Sequence, residues 1–163
     1  MASLADPLVQ ELLKGRYIGS IATQNPNGQI HMVAVWYWFD EKHIFVATSS
    51  RSRKARNLQS TPRATLMIDS RDPAASCGVT ISGTARIISG EESQKKNSEI
   101  HRRYLSSAAL SDARVGRVFA AWDDVTIQIT PESVISWDMR EADRAVFGGA
   151  FAENPGYLLP LQL

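Results

Sequence analysis

One cysteine in 163 residues, Cys77, rules out an internal disulfide framework and suits a reducing compartment. No apolar run approaches the roughly 20 residues that a membrane-spanning helix needs, so no membrane is expected among the partners. The opening stretch "MASLADPLVQELLKGR" carries Asp6 and Glu11 and has no continuous apolar centre, unlike a secretory leader. A cytoplasmic setting is the expectation. A charge excess is missing as well: 18 basic and 17 acidic residues leave +1, whereas a dedicated nucleic-acid binder is strongly basic. His31, His43 and His101 have no metal-ligand spacing, so no metal is expected and structural or surface roles fit them better than catalysis. No side chain stands out as a general acid or base. Asp123–Asp124 after Trp122 has the look of a turn, and Cys77 has no basic neighbour to lower its pKa.

What is present suits one globular domain with a real core: 44% hydrophobic and 21% charged residues. Residues 6–14 predict a short amphipathic helix, with Asp6 placed to cap it, Pro7 at its first position and Gly15 after its end. The period then changes. Segments 16–24 and 29–39 are rich in β-branched and aromatic residues, and the "NPNG" between them is a hairpin signal because Asn27 and Gly28 both tolerate positive φ. Segments 43–48, 63–69 and 77–88 add strands. In the last, Val79, Ile81, Ala85 and Ile87 alternate with Thr80, Ser82, Thr84 and Arg86. Two more, 124–130 and 133–139, flank Pro131. Helices are expected over about 52–60 and 89–105, the second opened by a Ser89/Glu92 capping box, with a less regular segment at 106–121. Short strands with a few helices predict a small antiparallel barrel with helical inserts, mainly β within the α+β class. The split-barrel domain is expected over 1–139, and the Gly- and Pro-punctuated tail, 140–163, extended or partly ordered.

Segment 29–39 carries a further implication. Ile30, Met32, Ala34, Trp36 and Trp38 share one face, while Val33, Val35, Tyr37 and Phe39 share the other. A barrel strand with its outside in water should be polar there. An outer face this apolar meets a helix, a flat ligand or a second subunit, and a homodimer is the favoured expectation.

The stretch "TSSRSRKARNL" (48–58) concentrates Arg51, Arg53, Lys54 and Arg56 in a chain that is otherwise near neutral. With Ser50 or Ser52 at the helix start, unpaired backbone N–H groups, a hydroxyl, a planar guanidinium and an ammonium converge. Such a group suits a phosphate, whose charge is about −1.5 to −2 at neutral pH. A basic helix facing solvent, or a barrel that sets these cations on nucleic-acid phosphates and Trp36–Phe39 on bases, uses the same residues.

The run "FDEKHIFVATSSRSRKARNLQSTPRATLMI" resembles the pyridoxamine 5′-phosphate oxidase-like family, the flavin-binding split barrels. Thr48, Ser52, Arg53, Lys54, Arg56, Leu58, Pro62 and Ala64 fall in register with its "F-x-x-x-T", "S-R-K-x-R-x-L" and "x-P-x-A" pattern, and the likeness extends over about residues 10–139. The resemblance implies a six-stranded antiparallel split β-barrel that forms a homodimer with flavin at the subunit interface. It implies FMN as cofactor, with Ser52, Arg53 and Lys54 on the ribityl phosphate and Met32, Val33, Ala34, Val35, Trp36, Ala47 and Thr48 along the isoalloxazine. The activity implied is oxidoreduction of a small organic substrate, with no nucleic acid involved. Two departures stand out. A glutamine that true pyridoxamine phosphate oxidases carry aligns with Gly78, and their C-terminal substrate signature, Arg-Leu-His-Asp-Arg, is absent, with Trp137 and Arg144 as loose counterparts at the wrong spacing. Vitamin B6 oxidation is therefore not expected. Related branches use the deazaflavin coenzyme F-420 or bind haem, and a non-enzymatic flavin or haem carrier is a further alternative.

Overall fold

The computed structural model describes residues 2–70 and 76–159. Helix α1 (Pro7–Lys14) turns Val9, Leu12 and Leu13 into the core. Asp6 precedes it without capping it: the carboxylate instead accepts from the Ser3 N–H at 2.8 Å and the Ser3 hydroxyl. Strands β1 (Gly19–Gln24) and β2 (Ile30–Val35) form the expected hairpin. Of the two turn residues, only Gly28 is left-handed, at φ +84°. Its N–H bonds to Asn25 O at 2.9 Å, so Pro26 and Asn27 occupy the middle of the turn and Gly28 follows them, the bulged form of a hairpin loop.

Seven strands form the sheet rather than six, in the order β2-β1-β5-β6-β7-β4-β3, every neighbouring pair antiparallel. The added strand arises because segment 29–39 breaks at Trp36–Tyr37 into β2 and β3 (Trp38–Phe39). Those two pieces are the opposite edges of the sheet. One continuous segment therefore spans both edges, which curls the sheet toward closure. Tyr37 sits fully buried at the break, its hydroxyl donating to Leu12 O at 2.5 Å, and burial pushes that hydroxyl's pKa well up. The two strands expected around Pro131 are instead one, β7 (Val125–Asp138). Pro131 pairs with Gly83 of β6 (Cys77–Ile88) where the register shifts, a bulge that tolerates the missing N–H. A Cβ on Gly83 would collide with Thr130 O.

Inward residues Ile21, Leu66, Ile68, Val79, Ile81, Ile127 and Ile129 fill the barrel, together with Ile44 and Val46 of β4 (Ile44–Thr48) and the ladder of β5 (Arg63–Ser70). Helix α2 (Arg53–Ser60) lies against β1 and β6, and α3 (Gly90–Tyr104) lies against β4 and β7. Ser89 precedes α3 without a side-chain cap, and Glu92 pairs with Arg86 at 3.5 Å, so the expected capping box does not form. Short helices α4 (Ser107–Ser111) and α5 (Gly116–Trp122) follow. In the tail, for which the glycines and prolines predict an extended or partly ordered chain, α6 (Met139–Val146), α7 (Ala150–Glu153) and a 3-10 turn form among the described residues. The buried Asp143 carboxylate organises them by accepting from the N–H groups of Phe151 and Ala152.

Candidate functional site

The end of β4, the start of α2 and the break between β2 and β3 meet at one pocket of about 280 Å³. Ser52 is the N-cap of α2. Its Oγ accepts from the Ala55 N–H at 3.2 Å and from the Thr48 hydroxyl at 3.1 Å. Ser50 has a different task, giving its N–H and hydroxyl to the Asp124 carboxylate, each at 2.6 Å. The helix is fixed from its inner side by Ala55 and Leu58. Buried Asn57 adds a hydrogen bond from Nδ2 to Thr23 Oγ1 at 3.1 Å and one to Asn25 Oδ1 at 3.0 Å. With Ala55 N–H capped, the N–H groups of Arg53 and Lys54 have no acceptor among the described residues. They are the open donors that a helix start offers to an anion.

Lys54 is half-buried and lines the pocket. Burial pushes its ammonium pKa down, and the Asp123 carboxylate works in the opposite direction. Arg53 and Arg56 are exposed, and their side chains make no ion pair among the described residues. Thr48, Ala47, Val35 and Ala34 continue the lining away from the helix. Trp36 forms the far wall, stacked between Tyr104 (centroids 5.0 Å, planes at 3°) and Phe119 (5.3 Å, 23°).

Of the residues expected to bind a cofactor, Ala34, Val35, Trp36, Ala47, Thr48 and Lys54 line this pocket, and Ser52 stands behind Thr48. Three lie apart from the lining. Met32 is 64% exposed on the outer face of β2, Val33 packs on the core, and Arg53 points to solvent. Ile18, Phe119 and Asp123 complete the wall and were not expected there. The supposed turn Asp123–Asp124 sends its two carboxylates to different partners. Asp124 holds Ser50, whereas Asp123 Oδ2 accepts from His101 Nε2 at 2.7 Å. His101 is 5% exposed. A sequence signal for this existed: Ser93, Asn97 and His101 recur one helical turn apart, a polar stripe on a buried face.

Away from the pocket, burial raises the Cys77 thiol pKa, which suits an inert core residue. The Trp137 ring lies where a Cβ on Gly78 would be. Any side chain at 78 would displace that ring, so Gly78 and Trp137 are packed as a pair. Among the described residues no group of three or more His, Cys, Asp or Glu is placed to hold a metal ion, and no helix is long and apolar enough to cross a membrane.

Similar solved structures include a conserved hypothetical protein from Mycobacterium tuberculosis, 24% identical, with a TM-score of 0.68 over 100% of this chain and 92% of that one. An F-420 reductase is 20% identical, with a TM-score of 0.62 over 77% and 94% of the two chains. HutZ, the haem storage protein from Vibrio cholerae, is 17% identical, with a TM-score of 0.62 over 80% and 92%. At these identities the likeness establishes the fold. Among curated proteins the chain has no significant sequence match. The family model for pyridoxamine 5′-phosphate oxidase matches residues 5–138, the whole barrel from α1 to the end of β7, and the chain belongs to that family.

Proposed function

We propose that this chain is a homodimeric, flavin-dependent oxidoreductase that holds FMN beside the subunit interface and serves a small, flat organic substrate. The observation that carries the reading is the joining of two unlike surfaces in one pocket. An aromatic and aliphatic slot, Ala34, Val35, Trp36 and Phe119, runs into a helix start with two open N–H groups and the Lys54 ammonium. FMN has the same division, an apolar tricyclic ring at one end and a phosphate at the other, so the residues present fit it. The Ser52 and Thr48 hydroxyls stand beside the phosphate end, and the Arg53 guanidinium, exposed at the first position of α2, would have to turn in from solvent to join them. Because β2 is an edge strand, backbone groups along Met32–Val35 on its free side are available to the polar rim of a ring. Bound FMN supplies hydride or electron transfer, and the chain's residues bind and orient the ring and keep water from it.

The dimer rests on the bare outer face of β2. Ile30 and Met32 are 61% and 64% exposed, and Ala34 and Ile18 belong both to this face and to the pocket. A second copy seated on that face would wall the open side of the pocket.

The deazaflavin coenzyme is the second reading. It shares the ring and the phosphate and adds an acidic tail, and the exposed Arg53 and Arg56 of α2, which form no ion pair among the described residues, carry matching charge. The F-420 reductase among the similar structures points the same way. Haem has less support, because the lining contains no His, Cys, Met or Tyr to ligate its iron.

The test is an absorbance spectrum of the protein after gel filtration with FMN and, separately, with the deazaflavin coenzyme. Flavin bands that travel with the protein are expected. Arg53→Ala combined with Lys54→Ala should weaken FMN by on the order of 100-fold or more, from the loss of charge-assisted hydrogen bonds. A protein that retains neither cofactor, or a double variant with unchanged FMN affinity, sinks the reading.

A further inference from the structure

Asp123 has no task in the phosphate-and-ring account, yet a buried polar stripe is committed to it. Ser93, Asn97 and His101 of α3 are 1%, 3% and 5% exposed. Asn97 Nδ2 donates to Asp123 O at 2.6 Å and to Val125 O at 3.2 Å, fixing the backbone where α5 gives way to β7. Asn97 Oδ1 accepts from the Thr126 hydroxyl at 2.6 Å, and Ser93 Oγ lies 2.9 Å from the same hydroxyl. His101 then holds the Asp123 side chain. A carboxylate only accepts, so His101 Nε2 carries the hydrogen between them.

Burying polar side chains costs free energy unless each is bonded, and apolar residues would pack α3 on β7 without that cost. What the stripe achieves is a fixed main chain and a fixed carboxylate at the pocket wall. One carboxylate oxygen is occupied by His101. The other, Oδ1, has no hydrogen-bond partner among the described residues, and the carboxylate lines the pocket. It is also close enough to Lys54 to favour that ammonium's charge. A carboxylate repels a phosphate, so the ligand group beside it must be a donor, and its nearness to Lys54 puts that donor next to the phosphate.

We infer that Asp123 is a second polar anchor of the pocket, accepting hydrogen bonds from the hydroxyls of a polyol chain adjacent to the anion held by Lys54 and the start of α2. His101 is a positioning residue that acts through Asp123. The inference rests on the flavin reading and deepens it, since the ribityl chain of FMN and of the deazaflavin coenzyme is such a polyol.

The experiment is a fluorescence titration of the full-length protein with three probes: FMN, riboflavin, which keeps the polyol without the phosphate, and lumiflavin, which has neither. Asp123→Asn preserves shape and removes the charge. It should weaken FMN and riboflavin by the same factor, roughly ten- to a hundredfold for one charge-assisted bond, and leave lumiflavin unchanged. Lys54→Ala should weaken FMN alone. A thermal midpoint within a few degrees of the parent's shows the fold intact, and Asp123→Ser replaces the first variant if it does not fold. Riboflavin affinity equal to the parent's makes Asp123 a partner of His101 only and overturns the inference. An equal loss with lumiflavin puts the donor on the ring and overturns the polyol assignment, and tighter FMN binding makes the carboxylate an opponent of the phosphate. A parent that binds none of the three overturns the cofactor reading itself. A parent that binds them beside an indifferent Asp123→Asn overturns the anchor alone.

Discussion

The segment from Ile30 to Phe39 is one alternating apolar run that the fold treats in two ways. In its second half, Trp36 is stacked between Tyr104 and Phe119, and Trp38 lies against Phe45 with the Lys96 ammonium 4.6 Å from its ring centroid. In its first half, Ile30 and Met32 stand bare at 61% and 64% exposure. The residue types are alike. The difference lies in the reach of the helices: α3 packs on β3 and β4, and its Tyr104 meets Trp36, while Ile30 and Met32 of β2 stay exposed. Alternation therefore marks a strand that is apolar on both faces, while helix placement decides which part of it is covered from within the chain. The pocket lies at the border, with Ala34 on the bare side and Trp36 on the covered side.

Breaking the bare half should have the largest effect. Met32→Glu puts a charge where the proposed second copy would bury it unpaired, at a cost of several kcal/mol; a parent that runs as a dimer in gel filtration with light scattering should become a monomer. A variant that keeps the parent's mass removes β2 from the interface. Breaking the covered half should act on the fold instead. Trp36→Ala loses two stacked partners of a half-buried ring and should lower stability by about 2–3 kcal/mol in urea unfolding, below the figure for a fully buried aromatic. The proposed dimer should persist in this variant at micromolar concentration. If Trp36→Ala dissociates the dimer and unfolding stability stays unchanged, the two halves are not distinct.

What was legible in the sequence was local. The alternation of 77–88, the capping Ser52 and the meeting of Ala47, Thr48 and Lys54 at one pocket all depend on residues near one another in the chain. Closure was not legible. Nothing within 29–39 marks Trp36–Tyr37 as the break, because the break exists to satisfy two distant sheet edges. Pro131 likewise suggests an end to a strand, and only its pairing with Gly83 turns it into a bulge. Ser89 and Glu92 have the spacing of a capping box, but Arg86 on the neighbouring strand competes for the carboxylate. The side of the pocket that Phe119 and Asp123 supply was missed for the same reason. Phe119 and Asp123 reach it through α3, and the clue lies in Ser93, Asn97 and His101, whose spacing has meaning only once that helix face is known to be buried.

The smallest effect concerns how the border itself is held. Asp123 faces the pocket, while its neighbour Asp124 ties the 49–52 loop to the start of β7 through Ser50. The Ser50 hydroxyl, and then its N–H, hold the Asp124 carboxyl below the usual carboxylate range. A group whose pKa is depressed on folding adds stability that is fully present above its unfolded value, about 4, and is lost as pH falls through the folded value. Asp124→Asn keeps one acceptor and removes the charge. It should be less stable than the parent at pH 7, with the gap narrowing below about pH 4 and closing once the parent's carboxyl is protonated. Because Asp124 is exposed, the gap should be a fraction of a kcal/mol, measured as urea midpoints from neutral pH down to the acid limb. A gap that stays constant with pH would mean that the uncharged group serves Ser50 equally well. The loop beside the phosphate end would then be tied to β7 by geometry alone, and the charge on Asp124 would have no part in shaping the border.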